Sequence, residues 1–264
     1  MKTVYFLCVS LVLVLFPISL FAQPQIIAHR GHWKAPGCAK NSVAALRAAH
    51  QVGAWGSEFD VQMSADGVLF VFHDNTLALD AKHPDQKSAI AEQNWDKMQS
   101  LTIANGEQMP TLQHYLEVGK HFAPMKLVLE LKPQPTPQRE QQAVERVVAM
   151  LRKMHLQEQV VFISFSPYMC DAFTQLLPEV PVLVLTSRVS PRQAWKKHYQ
   201  GVDYQFGMFQ KDTMLMHTCQ ELGLKTNAWT VNTDEIFDYL VFQKVDYITT
   251  DRPDHFIQKL AEME

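Results

Sequence analysis

Gly56-Ser57-Glu58-Phe59-Asp60-Val61-Gln62-Met63-Ser64-Ala65-Asp66-Gly67-Val68-Leu69-Phe70-Val71-Phe72-His73 consists of two alternating segments around an Asp-Gly pair. Such a pair between alternating apolar runs is a strong hairpin signal. With Asp66 and Gly67 as a two-residue loop, Ala65 faces Val68, Met63 faces Phe70 and Asp60 faces His73. Strand side chains alternate, so Glu58, Asp60 and Gln62 are expected on one face with Val71 and His73. Phe59, Val61, Met63, Phe70 and Phe72 form the opposite, core face. Two carboxylates and a histidine side by side on a strand braced by hydrophobics are a candidate site. Carboxylates that close repel unless a cation stands between them or one holds a proton.

Outward from this hairpin, short apolar runs alternate with helical patterns. Strands are expected at Gln25 to His29, Gly56 to Met63, Val68 to His73, Lys126 to Leu131, Val160 to Phe165, Val180 to Leu185, Asp203 to Phe206, Lys225 to Thr230 and Tyr247 to Thr250. Asn41 or Ser42 can cap a helix through Val43, Leu46, Ala49 and Val52. Thr111 opens a second helix through Leu112, Tyr115, Leu116 and Val118. Gln138 to Met154 sets Val144, Val147, Val148 and Leu151 on one stripe. Lys211 to Leu222 and Thr233 to Phe242 behave alike. Strand and helix in alternation imply parallel pairing with right-handed crossovers. The expected fold is α/β, a (β/α)8 TIM-type barrel. Nine strands are one too many. A loop this short cannot make a parallel crossover, so one strand of the pair is antiparallel and the barrel carries an irregular hairpin at about residues 56–73. The competing architecture, an open doubly wound sheet, is weakened because no Gly-rich phosphate fingerprint follows the first strand.

The start of the chain reads as something other than fold. Lys2 precedes an apolar run from Val4 to Phe16, then Pro17 and Ser19-Leu20-Phe21-Ala22-Gln23. This is the pattern of a secretory signal cut after Ala22, so residues 1–22 are expected to be a signal peptide and 23–264 a single barrel domain. The alternative is an uncleaved anchor. The expected location is periplasmic or secreted, with no stable membrane insertion after cleavage. Removal leaves 242 of the 264 residues, close to the ~250 of one barrel domain. A net charge of −3 argues against a nucleic-acid partner. Hydrophobic residues at 47% are ample for a core. Cys38, Cys170 and Cys219 have no zinc-site spacing; they read as buried free thiols, with one disulfide as the alternative. No feature of the sequence decides an oligomeric state.

In a barrel, strand C-termini build the site. His29 and Arg30 end the first strand, Glu58 and Asp60 lie on the second, and Glu130-Leu131-Lys132 ends the strand from Lys126. Three carboxylates (Glu58, Asp60, Glu130) make an oxygen-rich pocket suited to one divalent hard cation, Ca2+ or Mg2+. His29 and His73 suit general acid and base roles on opposite sides of a reacting bond. Arg30 and Lys132 supply fixed positive charge for a phosphate. That set fits phosphodiester cleavage. Trp229 reads as a substrate wall or as core. Each part also has a structural reading: Glu58 and Asp60 as a solvated strand face, Glu130 and Lys132 as an ion pair.

The chain resembles the glycerophosphodiester phosphodiesterase family. The resemblance rests on Ala28-His29-Arg30-Gly31, Gly56 to Val61, Asp66-Gly67, Phe72-His73-Asp74, Leu129 to Lys132, Ser164-Phe165-Ser166, Trp229 to Asn232 and Thr250 to Pro253, in that order. It implies a (β/α) barrel and hydrolysis of a small-molecule glycerophosphodiester to glycerol 3-phosphate and an alcohol. It also implies a divalent cation at Glu58, Asp60 and Glu130, an acid/base pair at His29 and His73, and phosphate contacts at Arg30 and Lys132. Attack by the substrate's own glycerol hydroxyl, giving a cyclic phosphate that water opens, is implied as well. One departure stands out: where the family usually carries Pro-Glu-Asn-Thr, this chain has Ala39-Lys40-Asn41-Ser42. Lys40 is therefore a charge reversal beside the pocket. It is expected either on the surface or as a substrate-binding residue that reaches the phosphate or alters headgroup choice. A metal-independent phospholipase C-like barrel and a catalytically silent phosphodiester-binding barrel are the alternative readings.

Overall fold

The computed structural model describes residues 23–80 and 82–263; the expected signal peptide lies outside the described residues. In chain order the elements are β1 (Gln25–Ala28), α1 (Val43–Gln51), β2 (Gly56–Met63), β3 (Leu69–Val71), β4 (Thr76–Ala78), β5 (Lys87–Ala89), α2 (Leu112–Gly119), β6 (Lys126–Leu131), α3 (Pro137–Met154), β7 (Val160–Ser164), α4 (Pro167–Leu176), β8 (Val182–Val184), α5 (Pro191–Lys196), β9 (Gly201–Gln205), α6 (Gly207–Lys211), α7 (Leu215–Glu221), β10 (Lys225–Trp229), α8 (Asp234–Gln243), β11 (Tyr247–Thr250) and α9 (Pro253–Ala261). The strand order is β1-β11-β10-β9-β8-β7-β6-β2-β3, and β1 pairs again with β2. That last pairing closes eight parallel strands into a TIM-type barrel, with β3 attached antiparallel to β2.

Local chemistry starts and stops the helices. The Ser42 hydroxyl accepts from Ala45 N–H at 2.9 Å and caps α1. Thr111 caps α2 and Thr136 caps α3, whose first residue is Pro137. One stripe of α3 (Ala143, Val144, Val147, Val148, Leu151) is buried against Leu127, Leu129 and Leu131 of β6 and Phe59 and Val61 of β2 in one core cluster. Fully burying each valine or leucine of this stripe contributes about 1.5–3 kcal/mol. The opposite strand faces fill the lumen: Ile27, Val128, Val161, Ile163, Leu183 and Leu185 form a second cluster.

Two expectations are corrected. The hairpin loop has three residues, not two: Gly67 N–H donates to the Ser64 carbonyl at 3.0 Å, Ser64 N–H to the Val68 carbonyl at 3.0 Å, and Val68 N–H to Ser64 Oγ at 2.9 Å. Gly67 takes φ +87°, the left-handed residue that such a loop requires. The extra residue shifts the register by one and flips β3. Val61 pairs with Val71 and Met63 with Leu69, so Leu69 and Val71, not Phe70 and Phe72, join the main core. Phe70 and Phe72 pack instead in a third cluster with Leu77, Ile90, Met98 and Met109. The Asp60 backbone carbonyl accepts from Phe72 N–H at 2.9 Å, and Asp60 does not pair with His73, which lies beyond the end of β3. The second correction concerns Lys211 to Leu222. Lys211 instead ends α6, and the expected helix starts only at Leu215 as α7, because the Asp212 carboxylate accepts Met214 N–H at 3.0 Å, a side-chain turn that competes with the helix. The small β4–β5 hairpin was also not expected; its strands have three residues each and no clean alternation.

Candidate active site

The chain leaves β1 through a tight turn at the C-terminal end of the barrel. Arg30 has φ +55° and Gly31 φ +74°. A Cβ on Gly31 would lie 2.7 Å from the Ala45 backbone, so only glycine lets α1 seat against this turn. Arg30 N–H donates to Glu58 Oε2 at 2.8 Å, and Gly31 N–H to the Glu58 carbonyl at 3.1 Å. The turn thereby fixes the end of β1 to β2.

Glu58 and Asp60 on β2 and Glu130 on β6 are all buried, with Asp60 in register beside Glu130. One oxygen from each lies within 4.8 Å of the others. Lys132 Nζ donates to Asp60 Oδ1 at 3.0 Å and Glu130 Oε1 at 2.7 Å. Asn41 donates to Asp60 Oδ2 at 2.8 Å and accepts Asp60 N–H at 3.1 Å. Arg30 Nε stands 3.4 Å from Asp60 Oδ2, an ion pair without hydrogen-bond geometry, since Nε has no bonded partner. Burial, then repulsion from Asp60 and Glu130, pushes the Glu58 carboxyl well above the usual range. Burial, then Asp60, pushes Glu130 up to about 7. Burial also acts on Asp60, but Lys132, Arg30 and the Asn41 amide together hold it below its ordinary value. Glu58 Oε1 is buried with no hydrogen-bond partner. A buried, oxygen-only donor set with mutual repulsion and an orphaned oxygen fits a hard divalent cation.

The two imidazoles are held alike. His29 Nδ1 bonds Asp251 Oδ1 at 2.8 Å and His73 Nδ1 bonds Asp74 Oδ1 at 2.7 Å. In each ring the Nδ1–H therefore goes to a carboxylate, and among the described residues Nε2 has no hydrogen-bond partner. His29 Nε2 is 4.0 Å from Glu58 Oε2. Asp251 also accepts from Trp33 Nε1 at 2.9 Å and Asn232 Nδ2 at 2.8 Å. Burial works against its charge, but these three donors hold its carboxyl well below the usual range. Burial lowers the His73 imidazole from its ordinary value, with Asp60 and Asp74 opposing. Gln62 steadies the segment carrying His73, donating to the Asp74 carbonyl and Asn75 Oδ1, each at 3.0 Å. His29, His73, Arg30, Lys132, Glu58, Glu130 and Trp229 line one cavity of about 150 Å³.

Residues 29–255 match the model of the glycerophosphoryl diester phosphodiesterase family. The chain belongs to that family. It is 26% identical over 248 residues to a glycerophosphodiester phosphodiesterase of Caldanaerobacter subterraneus, covering 88% of this chain and 96% of that protein. A solved glycerophosphodiester phosphodiesterase from Parabacteroides distasonis superposes with a TM-score of 0.85 at 35% identity, covering 91% of this chain and 98% of the other. An Oleispira antarctica phosphodiesterase, solved with the product sn-glycerol-3-phosphate, superposes at 0.78 with 25% identity, covering 90% and 97%.

Within this glycerophosphoryl diester phosphodiesterase chain, eight of the nine expected site residues come together. Asp60 sits just behind the cavity wall, and Trp229 forms part of that wall, donating from Nε1 to the Asp203 carbonyl at 3.0 Å and meeting Phe165 edge-on. Lys40 is the ninth. It is exposed, outside the small cavity, with Nζ 4.6 Å from the Trp33 ring centroid. Asn41 is not the α1 cap but the clamp on Asp60, at φ +64°. Asp251, Asn232 and Asp203 belong to the site's surroundings without having been singled out beforehand; Asp251 and Asn232 lay in motifs whose order was visible but whose meeting was not. Cys38, Cys170 and Cys219 are free thiols, the last two buried and Cys38 partly exposed.

Proposed function

We propose that this chain is an exported, metal-dependent phosphoric diester hydrolase that cleaves glycerophosphodiesters to glycerol 3-phosphate and an alcohol. The reading is carried by one observation: two imidazoles with Nε2 free border the same small cavity as three gathered carboxylates and two cationic side chains. Glu58, Asp60 and Glu130 would hold the cation, which when bound supplies Lewis-acid stabilisation of charge on phosphoryl oxygens. One imidazole takes the proton from the glycerol hydroxyl as its oxygen bonds to phosphorus. The other gives a proton to the departing alkoxide as the P–O bond breaks, leaving a cyclic phosphodiester. Water then opens the ring with the two roles exchanged, yielding glycerol 3-phosphate. Lys132 spends two of its three N–H donors on carboxylates and keeps one for a phosphoryl oxygen. Trp229 walls the pocket. Export rests on the Lys2-to-Ala22 pattern.

The test is hydrolysis of a panel of glycerophosphodiesters by the wild type, His29→Ala and His73→Ala. Each single variant is expected to lose about 100-fold or more in kcat. Wild-type rates in either variant would contradict the assignment. A metal-independent reading is favoured by one observation, the Lys132 ammonium already bonded to two of the three acids. Full activity after exhaustive chelation would be its signature.

A further inference from the structure

Beside the catalytic cavity lies a second, larger hollow of about 910 Å³. One wall is the loop carrying Trp33, Lys34 and Lys40; the other is the stretch on either side of His73 and beyond it, with Phe72, Asp74 and Lys87 among its residues. Resting on the phosphodiesterase reading above, we propose that this groove receives the leaving alcohol of the substrate, and that it selects alcohols bearing an anionic group.

Size makes the first half of the case. A volume of about 150 Å³ is below the range of small-molecule sites, about 300–1,000 Å³, whereas the groove falls within it. The small cavity suits the phosphate and its glycerol; the rest of a diester needs another place. Connection to the chemistry makes the second half. Trp33 Nε1 donates to the same Asp251 oxygen that receives His29 Nδ1, at 2.9 and 2.8 Å. Asp74, on the other wall, holds His73 Nδ1 at 2.7 Å. Each wall is thus one hydrogen bond from an imidazole, which sets the groove next to the reacting centre.

The charge of the lining names the occupant. Lys34, Lys40 and Lys87 are exposed, and among the described residues none of the three ammonium groups is within ion-pair distance of a carboxylate. Asp74 is the one acid of the lining, and its carboxylate is engaged by His73. A quaternary ammonium headgroup would ordinarily seek an aromatic face. Trp33 already has Lys40 Nζ at 4.6 Å and Lys34 Nζ at 5.3 Å from its ring centroid, so a cation arriving there meets two like charges. Leu77, Leu101, Ile103 and Met109 give the groove an apolar floor for the carbon skeleton between phosphate and anion.

The experiment compares kcat/KM on three diesters that share glycerol 3-phosphate and differ in the alcohol: choline, glycerol, and a glycerol carrying a second phosphate. Wild type, Lys40→Glu and Lys87→Glu are each assayed at low ionic strength. The wild type is expected to prefer the phosphorylated alcohol. Each charge reversal is expected to lower the ratio of its kcat/KM to that of the choline ester by on the order of tenfold, the choline ester gaining in absolute terms. Added salt should compress the differences. Equal or better use of the choline ester by the wild type, or a ratio unmoved in both variants, overturns the proposal. No turnover of any of the three by the wild type would overturn the phosphodiesterase reading itself, and the groove assignment with it. The lysines are exposed, and correct folding of the variants is checked by thermal melting.

Discussion

Asp251 gathers three donors, His29 Nδ1, Trp33 Nε1 and Asn232 Nδ2, at 2.8, 2.9 and 2.8 Å. An amide at this position cannot accept from all three, because its nitrogen only donates. Asp251→Asn is therefore expected to lose about 100-fold in kcat with little change in KM, read by steady-state kinetics; an unchanged kcat would show that His29 needs no such anchor. Asp203 carries a different consequence. It is buried on β9 with Oδ1 unpaired, and burial, opposed by the Asn227 amide and reinforced by Glu130, pushes it up to about 8 from an ordinary 3.8. Between those values the folded chain binds more protons than the unfolded chain, so stability falls as pH rises from about 4 to 8. Asp203→Asn is expected to flatten that limb and to gain about 1–3 kcal/mol at pH 8, with no gain near pH 4, in denaturant titrations at the two pH values. The acids and histidines were legible because chemistry-bearing side chains recur at strand ends. Their supports were not: His29 and Asp251 are separated by 222 positions, and local pattern carries no information about that meeting.

At the scale of elements, the hairpin shows what alternation fixes and what it leaves open. The strand pair, the antiparallel sense and the Asp-Gly turn were all readable. The register was not, because two-residue and three-residue loops share the Asp-Gly signal and differ only in whether Ala65 pairs with Val68 or joins the loop. Ser64 decides it here by bonding Val68 at both N–H and Oγ. The one-residue shift exchanges Phe70 and Phe72 for Leu69 and Val71 in the main core, and His73 reaches the cavity by leaving the strand. Gly67 holds this register at φ +87°, where a Cβ would also come within 2.8 Å of the Arg146 guanidinium. Gly67→Ala is expected to cost about 1–2 kcal/mol with an unchanged denaturant m-value. A neutral substitution would mean that the loop can adopt another turn. Ser42 and Thr111 were found as caps because a cap is a local device, whereas the break between α6 and α7 depends on one Asp212 side chain turning back on the backbone.

At the scale of the whole molecule, alternation of strand and helix was enough for the barrel, since right-handed crossovers leave few closed arrangements. What pattern could not supply was the electrostatic state of the closed lumen, where Glu58, Asp60 and Glu130 face each other from two strands. Three buried carboxylates, held only in part by Lys132 and Arg30, repel one another, and a divalent cation relieves that repulsion. Ca2+ or Mg2+ in hundredfold excess over its dissociation constant should add about 2.7 kcal/mol to the stability of chelator-treated protein, seen as a higher melting temperature. The most direct test of the gathered-carboxylate centre is calorimetric titration of Ca2+ or Mg2+ into metal-stripped wild type and Glu58→Gln. The account predicts one ion per chain in the wild type and at least about tenfold weaker binding in the variant. No saturable binding to the wild type, or equal affinity in both proteins, would contradict it.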